Sequence, residues 1–530
     1  MNLDEFIKNQ NICKKKKSKH KRDYHLFSTT QCGFQQEFYQ PTILNYILIV
    51  LLKSNMKLKE MVLFIYSQSE IIMQNNGLNL QNLQLSSLSK VLSQNPQTTK
   101  LDAQLSINQI TDFRDFFASF EYLNNLNELS LFIGHNPILN EQQQAQSLNQ
   151  ALAKLTKLNT LNLGLESLFN YQSREIILKG LTNISGLTSL RISLINCDLS
   201  GDGLKSLYPL TELRNLQFLE LLLVGSKLKE EEMKHLQTIL HKLPKLNKLN
   251  LNLYANKIQI DGAVTLSGGL FQQRQLKEFG IDLYFNNITA NGTESLMGVV
   301  GTMENLTSLN LGLEFNYITN DGGRQVGKAL EQLKNLKDLS INVASKNFGW
   351  DGYESVVSAI EKLPPLENLE LIIGVNKCGL EGAELLKQTL FKHDKLKSLK
   401  INFLENYVGD AGATFIAEGI QYQKNLQQLS VNMNFNSLSD RGALELARAV
   451  KNAKSPKIVD LRVSQNQITD KGIKDIFLLL EQSLPKVDQL EVELLNTALT
   501  NATRDDIELK YGKVEKLQIK LNTIPPSNWE

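Results

Sequence analysis

Cysteine is scarce in this sequence: four residues in 530, at Cys13, Cys32, Cys197 and Cys378, with no CxxC pair. Thiols so few and so far apart exclude the disulfide framework of a small secreted domain and the clustered ligands of a structural zinc site. The six histidines form no HExxH and take no metal-binding spacing with cysteine, so neither metal nor cofactor is expected. Proline and tryptophan are also rare, at 11 and two residues, and no Gly-, Ser- or Pro-rich linker interrupts residues 126–521. A bilayer crossing needs about 20 apolar residues. The stretch from Ile43 to Leu52 falls short of that, and Asn45 and Tyr46 interrupt it. It starts far from Met1 with no small-residue cleavage site behind it, so a secretory leader is not expected and a reducing, cytoplasmic setting is.

Net charge is almost absent as well, at +2 from 57 basic and 55 acidic residues. The balance hides an asymmetry. Eight of the first 22 residues are basic against Asp4 and Glu5, a net of +6, which leaves −4 for the rest of the chain. The body therefore lacks the basic stripe that nucleic acid requires, and no nucleic-acid partner is expected. The block from Lys14 to Arg22 reads as a solvated arm, with nuclear import or membrane-surface contact as alternatives.

What the chain does have is a repeat of period 30. Leu246, Leu276, Leu306, Leu336, Leu366, Leu396 and Leu426 open the same pattern. Looser copies open at Leu126, Leu158, Leu187 and Leu216, then at Ile458, Val487 and Val514. That gives 14 copies, with a degenerate fifteenth around Leu105 and Ile107. Each copy has two halves. Alternation as in Leu249, Leu251 and Leu253 predicts a short strand. An asparagine follows (Asn136, Asn256, Asn286, Asn316, Asn376, Asn406, Asn436), then a glycine such as Gly262 or Gly412. Beyond it, Ala263, Leu266 and Leu270 take the three- and four-residue spacing of an amphipathic helix. Such a unit cannot bury its apolar side alone, so stacking is obligatory.

This pattern resembles the leucine-rich-repeat family over about residues 100–521, and its long helical half suits the ribonuclease-inhibitor-like or RanGAP-like subclass. The resemblance implies an α/β solenoid: a horseshoe with a parallel sheet on its concave face and helices on its convex face. It also implies a ladder of asparagine amides, in which Cys197 fills one place. Two departures stand out. The copy at Ile458 obeys LxxLxLxxNxL, whereas the central copies carry two further residues, which predicts a longer concave strand in them. Lys346 stands where a ladder asparagine is expected. The chain divides into an N-terminal extension over 1–75, partly disordered or a helical cap, then a degenerate repeat or cap over 76–125. The solenoid over 126–521 and a tail over 522–530 follow.

Catalytic signals are thin. Gly322-Gly-Arg-Gln-Val-Gly-Lys328 approaches the phosphate-binding pattern GxxxxGK[ST], but Ala329 replaces the required hydroxyl and Gly322 is the repeat glycine. No catalytic residue is assigned and no enzyme is expected. Strand parity instead turns a polar column outward on the concave face. Asn250, Asn252, Tyr254, Asp282, Tyr284, Asn310 and Glu314 lead it, followed by Asn342, Glu370, Lys400, Asn402, Asn432 and Arg462. Tyr254 and Tyr284 are the expected anchors for another protein. The expectation is thus a non-catalytic scaffold in the cytoplasm, with cytoskeletal or ciliary attachment as an extension. The alternative is a regulator of a small GTPase, implied by the RanGAP-like resemblance. No catalytic residue or acidic tail of that class can be placed here.

Overall fold

The computed structural model describes residues 63–66, 70–74, 82–344, 348–454 and 456–523. The chain divides into two units, Met1–Tyr46 and Ile47–Glu530, and every described residue belongs to the second. Expectations for the basic block 14–22, the apolar stretch 43–52 and Lys346 lie outside the described residues.

Alternating apolar residues form one strand per repeat, and the strands join in a single 17-stranded sheet. Strand Leu63–Tyr66 runs antiparallel to Glu70–Gln74. From Glu70–Gln74 to Leu517–Thr523 each strand pairs in parallel with the next repeat's strand. Register keeps equivalent residues in line: Leu249 pairs with Phe279, Phe279 with Leu309 and Leu309 with Leu339. Those residues are buried under the helical layer, where Leu266, Leu296, Val326 and Val356 meet them in one continuous core. A fully buried leucine contributes about 2 kcal/mol, and only a neighbouring repeat can bury it here.

The expected lengthening of the central strands does not occur. Strand Ile458–Arg462 has five residues, as does Lys248–Asn252. Ile458 pairs with Gln428 and Val459 with Leu429, so Ile458 sits on the outward face, where it is 42% exposed. Pro456 holds the place of the opening leucine, and the inward triplet is Val459, Leu461 and Val463. An outward isoleucine had imitated the start of a shorter motif.

The fifteenth copy is real but begins earlier than expected. Its strand is Lys100–Gln104, with Leu101, Ala103 and Leu105 buried, whereas Ile107 is 72% exposed in a left-handed turn (φ 59°). Thr98 replaces the opening leucine, which concealed the copy.

Where each strand leaves the sheet, the ladder answers buried backbone groups that would otherwise have no partner. Asn256 Nδ2 donates to the carbonyls of Leu223 (2.9 Å) and Leu253 (2.8 Å), and its Oδ1 accepts from Leu228 N (3.0 Å). Asn108, Asn136, Asn286, Asn316, Asn376, Asn406, Asn436 and Asn466 act alike. Ser226 Oγ reaches Leu194 O at 2.8 Å, and Cys197 Sγ reaches Leu165 O at 3.9 Å. Burial pushes the Cys197 thiol pKa up, which fits a structural rather than reactive role. Leu168 interrupts the series with an apolar side chain.

Two further inter-repeat devices escaped the sequence. Asp410 accepts from Ser439 N (2.8 Å) and Gly442 N (3.0 Å), and Asp440 and Asp470 clamp Thr469 and Thr500 in the same way. Each acid thereby holds the start of the following repeat's helix. At the other helix end, His393 is fully buried: Nδ1 accepts from Leu366 N (3.1 Å), and Nε2 reaches Ile360 O (2.9 Å), a helix C-terminal carbonyl. Gln273 and Gln423 hold the equivalent carbonyls of Leu240 and Leu390.

Burial lowers the His393 pKa from its ordinary 6.5. A depressed folded-state value means the unfolded chain binds the proton first. The stability contributed by neutral His393 is therefore complete above about pH 6.5 and is lost as pH falls through the folded value. Melting followed by circular dichroism should show wild type losing more stability between about pH 7.5 and 5 than His393→Gln, which keeps a donor for Ile360 O. Equal losses in the two proteins would remove His393 as a source of acid sensitivity.

Candidate partner-binding surface

The outward column lies where strand parity places it. The 13 candidate residues all face away from the helical layer; Asn310 is exposed and the other 12 are half-buried. The sheet does not gather them into one site.

Several are occupied by structural work. Oδ1 of Asn252, Asn402 and Asn432 accepts the amide two residues on, from Tyr254 (3.1 Å), Leu404 (3.1 Å) and Asn434 (3.0 Å). Asp282 and Asn342 do the same for Tyr284 (3.0 Å) and Ala344 (3.3 Å). These are side-chain turns that bend the chain off the strand, which explains why short Asn and Asp recur at that position. Further along, Lys400 pairs with Glu370 at 3.7 Å, and Arg462 with Asp460 at 3.0 Å.

Tyr254, Asp282, Tyr284, Glu314 and Asn342 do come together, over four consecutive strands. The Tyr254 and Tyr284 rings stack at 4.5 Å and 23°, and Tyr284 meets Phe315 at 5.1 Å and 55°. Beneath them the sheet carries Gly280 between Asn250 and Asn310, and Gly312 between Asp282 and Asn342. A Cβ at Gly312 would stand 3.0 Å from Asp282 Oδ1, so the acid leans over the glycine. Glu314 accepts from Asn342 Nδ2 at 2.6 Å. Burial, and secondarily the Asp282 charge, raise its pKa against that hydrogen bond. Burial likewise pushes the Tyr284 hydroxyl up to about 12, helped by Glu314, Tyr254 and Asp282, so it remains a neutral donor.

Sequence reasoning missed the aromatics beside this cluster. Phe285 and Phe315 are 59% and 53% exposed at the residue before the ladder asparagine, and Tyr317 is 60% exposed at the residue after it. All three have left-handed φ angles, of 55°, 55° and 53°. The signal was available: a bulky aromatic beside the ladder residue, where turn chemistry favours Gly, Asn or Asp.

Nothing in this arrangement resembles a reaction centre. The phosphate-loop look-alike is helical, its glycines buried and Lys328 exposed. No group of three or more His, Cys, Asp or Glu among the described residues could hold a metal ion. No described helix is long and apolar enough to cross a membrane.

No family model and no curated protein matches the chain. Among solved structures it is similar to the mouse RP105/MD-1 complex, at 16% identity and a TM-score of 0.40 over 86% of this chain and 72% of that one. It is also similar to the yeast Rad7 and Elc1 complex, at 15% identity and a TM-score of 0.37 over 83% and 88% of the two chains. Both likenesses are loose, and the assignment rests on the chain itself. Its 30-residue repeat, its in-line parallel register and its ladder of buried amides give it the fold of a leucine-rich-repeat solenoid.

Proposed function

We infer that this protein is a non-catalytic scaffold that binds another protein through the open face of its sheet, centred on Tyr254 and Tyr284. The observation that carries this reading is the stacked aromatic run of Tyr254, Tyr284 and Phe315, left in contact with solvent on the open face. Aromatic side chains already held by stacking lose little entropy on binding, and such residues dominate the energetics of interfaces. The five-residue strands present that run on a rigid support, with each register position fixed by the core behind it.

An affinity capture comparing wild type with the Tyr254→Ala, Tyr284→Ala double variant tests the reading. Hot-spot aromatics each contribute about 2 kcal/mol, so retention of a specific partner should fall by more than about tenfold. Recovery of the same partners at equal yield sinks it.

A further inference from the structure

We propose that the chain pairs with a second copy of itself, the strands Leu517–Thr523 of the two copies lying antiparallel about a two-fold axis at Ile519. This goes beyond the scaffold reading, because it concerns the end of the solenoid and not its open face.

Backbone direction is the first argument. Buried strand residues point their N–H at the following repeat: Met433 N donates to Arg462 O (2.8 Å), Val463 N to Glu493 O (3.0 Å) and Leu490 N to Lys516 O (2.7 Å). A strand residue turns its N–H and C=O to the same side. In Leu517–Thr523 the equivalent residues are Leu517, Ile519 and Leu521, in register with Leu490, Val492 and Leu494. Among the described residues this strand pairs only with Gln489–Thr497, so the backbone groups of Ile519 and Leu521 face a free edge. Leu517 N–H is already spent on Val514 O (3.0 Å).

The helical layer is open at the same end. Phe391, five residues before Leu396, meets Tyr422 of the next helix at 4.8 Å. Leu509 stands five residues before Val514, the equivalent place, and is 81% exposed. Ile519 and Leu521 are half-buried, whereas Val492 and Leu494 beside them are fully buried. Terminal repeats of a solenoid need a polar outer face, and this one leaves leucine and isoleucine there.

Register and charge select the occupant. Antiparallel strands exchange hydrogen bonds at alternate residues. With the axis at Ile519, the two Ile519 residues exchange theirs, and Leu521 N–H of each copy reaches Leu517 O of the other. Side chains match as well: Ile519 meets Ile519 and Leu517 meets Leu521 on the buried side. On the open side Lys520, held by Glu491, lies opposite the neutral Gln518 of the second copy. An axis one residue later sets two Lys520 face to face, and one residue earlier sets Lys520 opposite Lys516. Like charges directly opposite are destabilising, so charge picks the register that also pairs the free groups. One short strand supplies both sides of the match, as an isologous contact requires. Residues 524–530 include Pro525 and Pro526, which donate no backbone hydrogen bond and compete poorly for the edge. The dimer carries two open faces on one sheet.

Sedimentation velocity of the full chain over a range of concentrations tests this. Mass should rise from 59.9 kDa to twice that value and stop. Gln518→Lys, a change at an exposed residue, sets lysine against Lys520 at both symmetry-related places, and the dimer should weaken by about tenfold. Adding Lys520→Glu makes those pairs opposite in charge and should restore the dimer, while circular dichroism shows all three proteins folded alike. A monomer at every concentration, growth beyond a dimer, or a Gln518→Lys dimer as tight as wild type overturns the proposal. So does a chain ending at Thr523 that dimerises when the full chain does not, since residues 524–530 are then what covers the edge.

Discussion

Asn436→Ala should destabilise its region of the solenoid by about 4 kcal/mol, although the side chain touches no solvent and no proposed partner. Asn436 Nδ2 donates to the carbonyls of Phe403 (2.8 Å) and Asn434 (3.0 Å). Its Oδ1 accepts from Asn406 N (3.2 Å) and Val408 N (3.4 Å). Alanine removes all four bonds; Asn434 O keeps the Glu405 amide (3.0 Å), but Phe403 O and the amides of Asn406 and Val408 lose this partner while buried. Each such group costs roughly 1–3 kcal/mol, and the longer contacts fall toward the low end. Because repeats contact only their neighbours, the loss should be local. Native-state hydrogen exchange should therefore show faster exchange at the amides of residues 406 and 408, with little change near Asn136. Serine at 436 should recover part of the loss, since Ser226 holds two carbonyls at its own ladder position. A variant within about 1 kcal/mol of wild type would mean that water substitutes for the amide.

Two glycine-to-alanine changes in neighbouring helices should move stability in opposite directions. A Cβ on Gly327 would lie 2.5 Å from Ser355 O and 3.0 Å from Ser355 C, backbone atoms of the next helix, Gly349–Glu361. Gly323 meets the same helix at Gly352 Cα, 2.5 Å from its missing Cβ. Gly298, in the helix Thr289–Val300, is exposed and has nothing within 4 Å. Alanine gains up to about 1 kcal/mol over glycine in any helix interior. At Gly298 that gain is unopposed, so Gly298→Ala should stabilise. At Gly327 the two helices must separate, and overpacking should outweigh the gain for a net loss of about 2 kcal/mol. Thermal melts of the two variants decide it, and a stabilising Gly327→Ala would contradict the packing described here. The same contacts explain the phosphate-loop look-alike: its glycines are there for helix approach.

Much of the fold was legible because a solenoid repeats its message. Leu249, Leu251 and Leu253 state the strand, Asn256 the turn and Ala263 with Leu266 the helix, and later copies correct any ambiguous one. Reading failed where a single residue broke the pattern. Ile458 stands on the outward face yet looks like an opening leucine, and Thr98 hides an opening position although it is buried. Outward residues are less constrained by packing, so an apolar one there misleads a count of periods. The surface was only half legible. Parity placed Asn252, Asn402 and Asn432 correctly on the open face but gave no hint that their oxygens are spent on turns. It named Tyr254 and Tyr284 but passed over Phe285, Phe315 and Tyr317, which lie in the loops where the two-residue period has ended.

The sequence by itself determined the architecture: period 30 admits one stacking unit, and its apolar pattern dictates a strand, a turn and a helix in that order. It also determined which faces are polar, since alternation has only two phases. Tertiary structure decided everything that depends on adjacency between residues about 30 positions apart. Only there does Glu314 meet Asn342 and Asp282, does Tyr254 stack on Tyr284, and does His393 reach the carbonyl of Ile360. The physical reason is that such contacts rest on distances of a few ångströms set by packing, whereas periodicity fixes only the direction in which a side chain points.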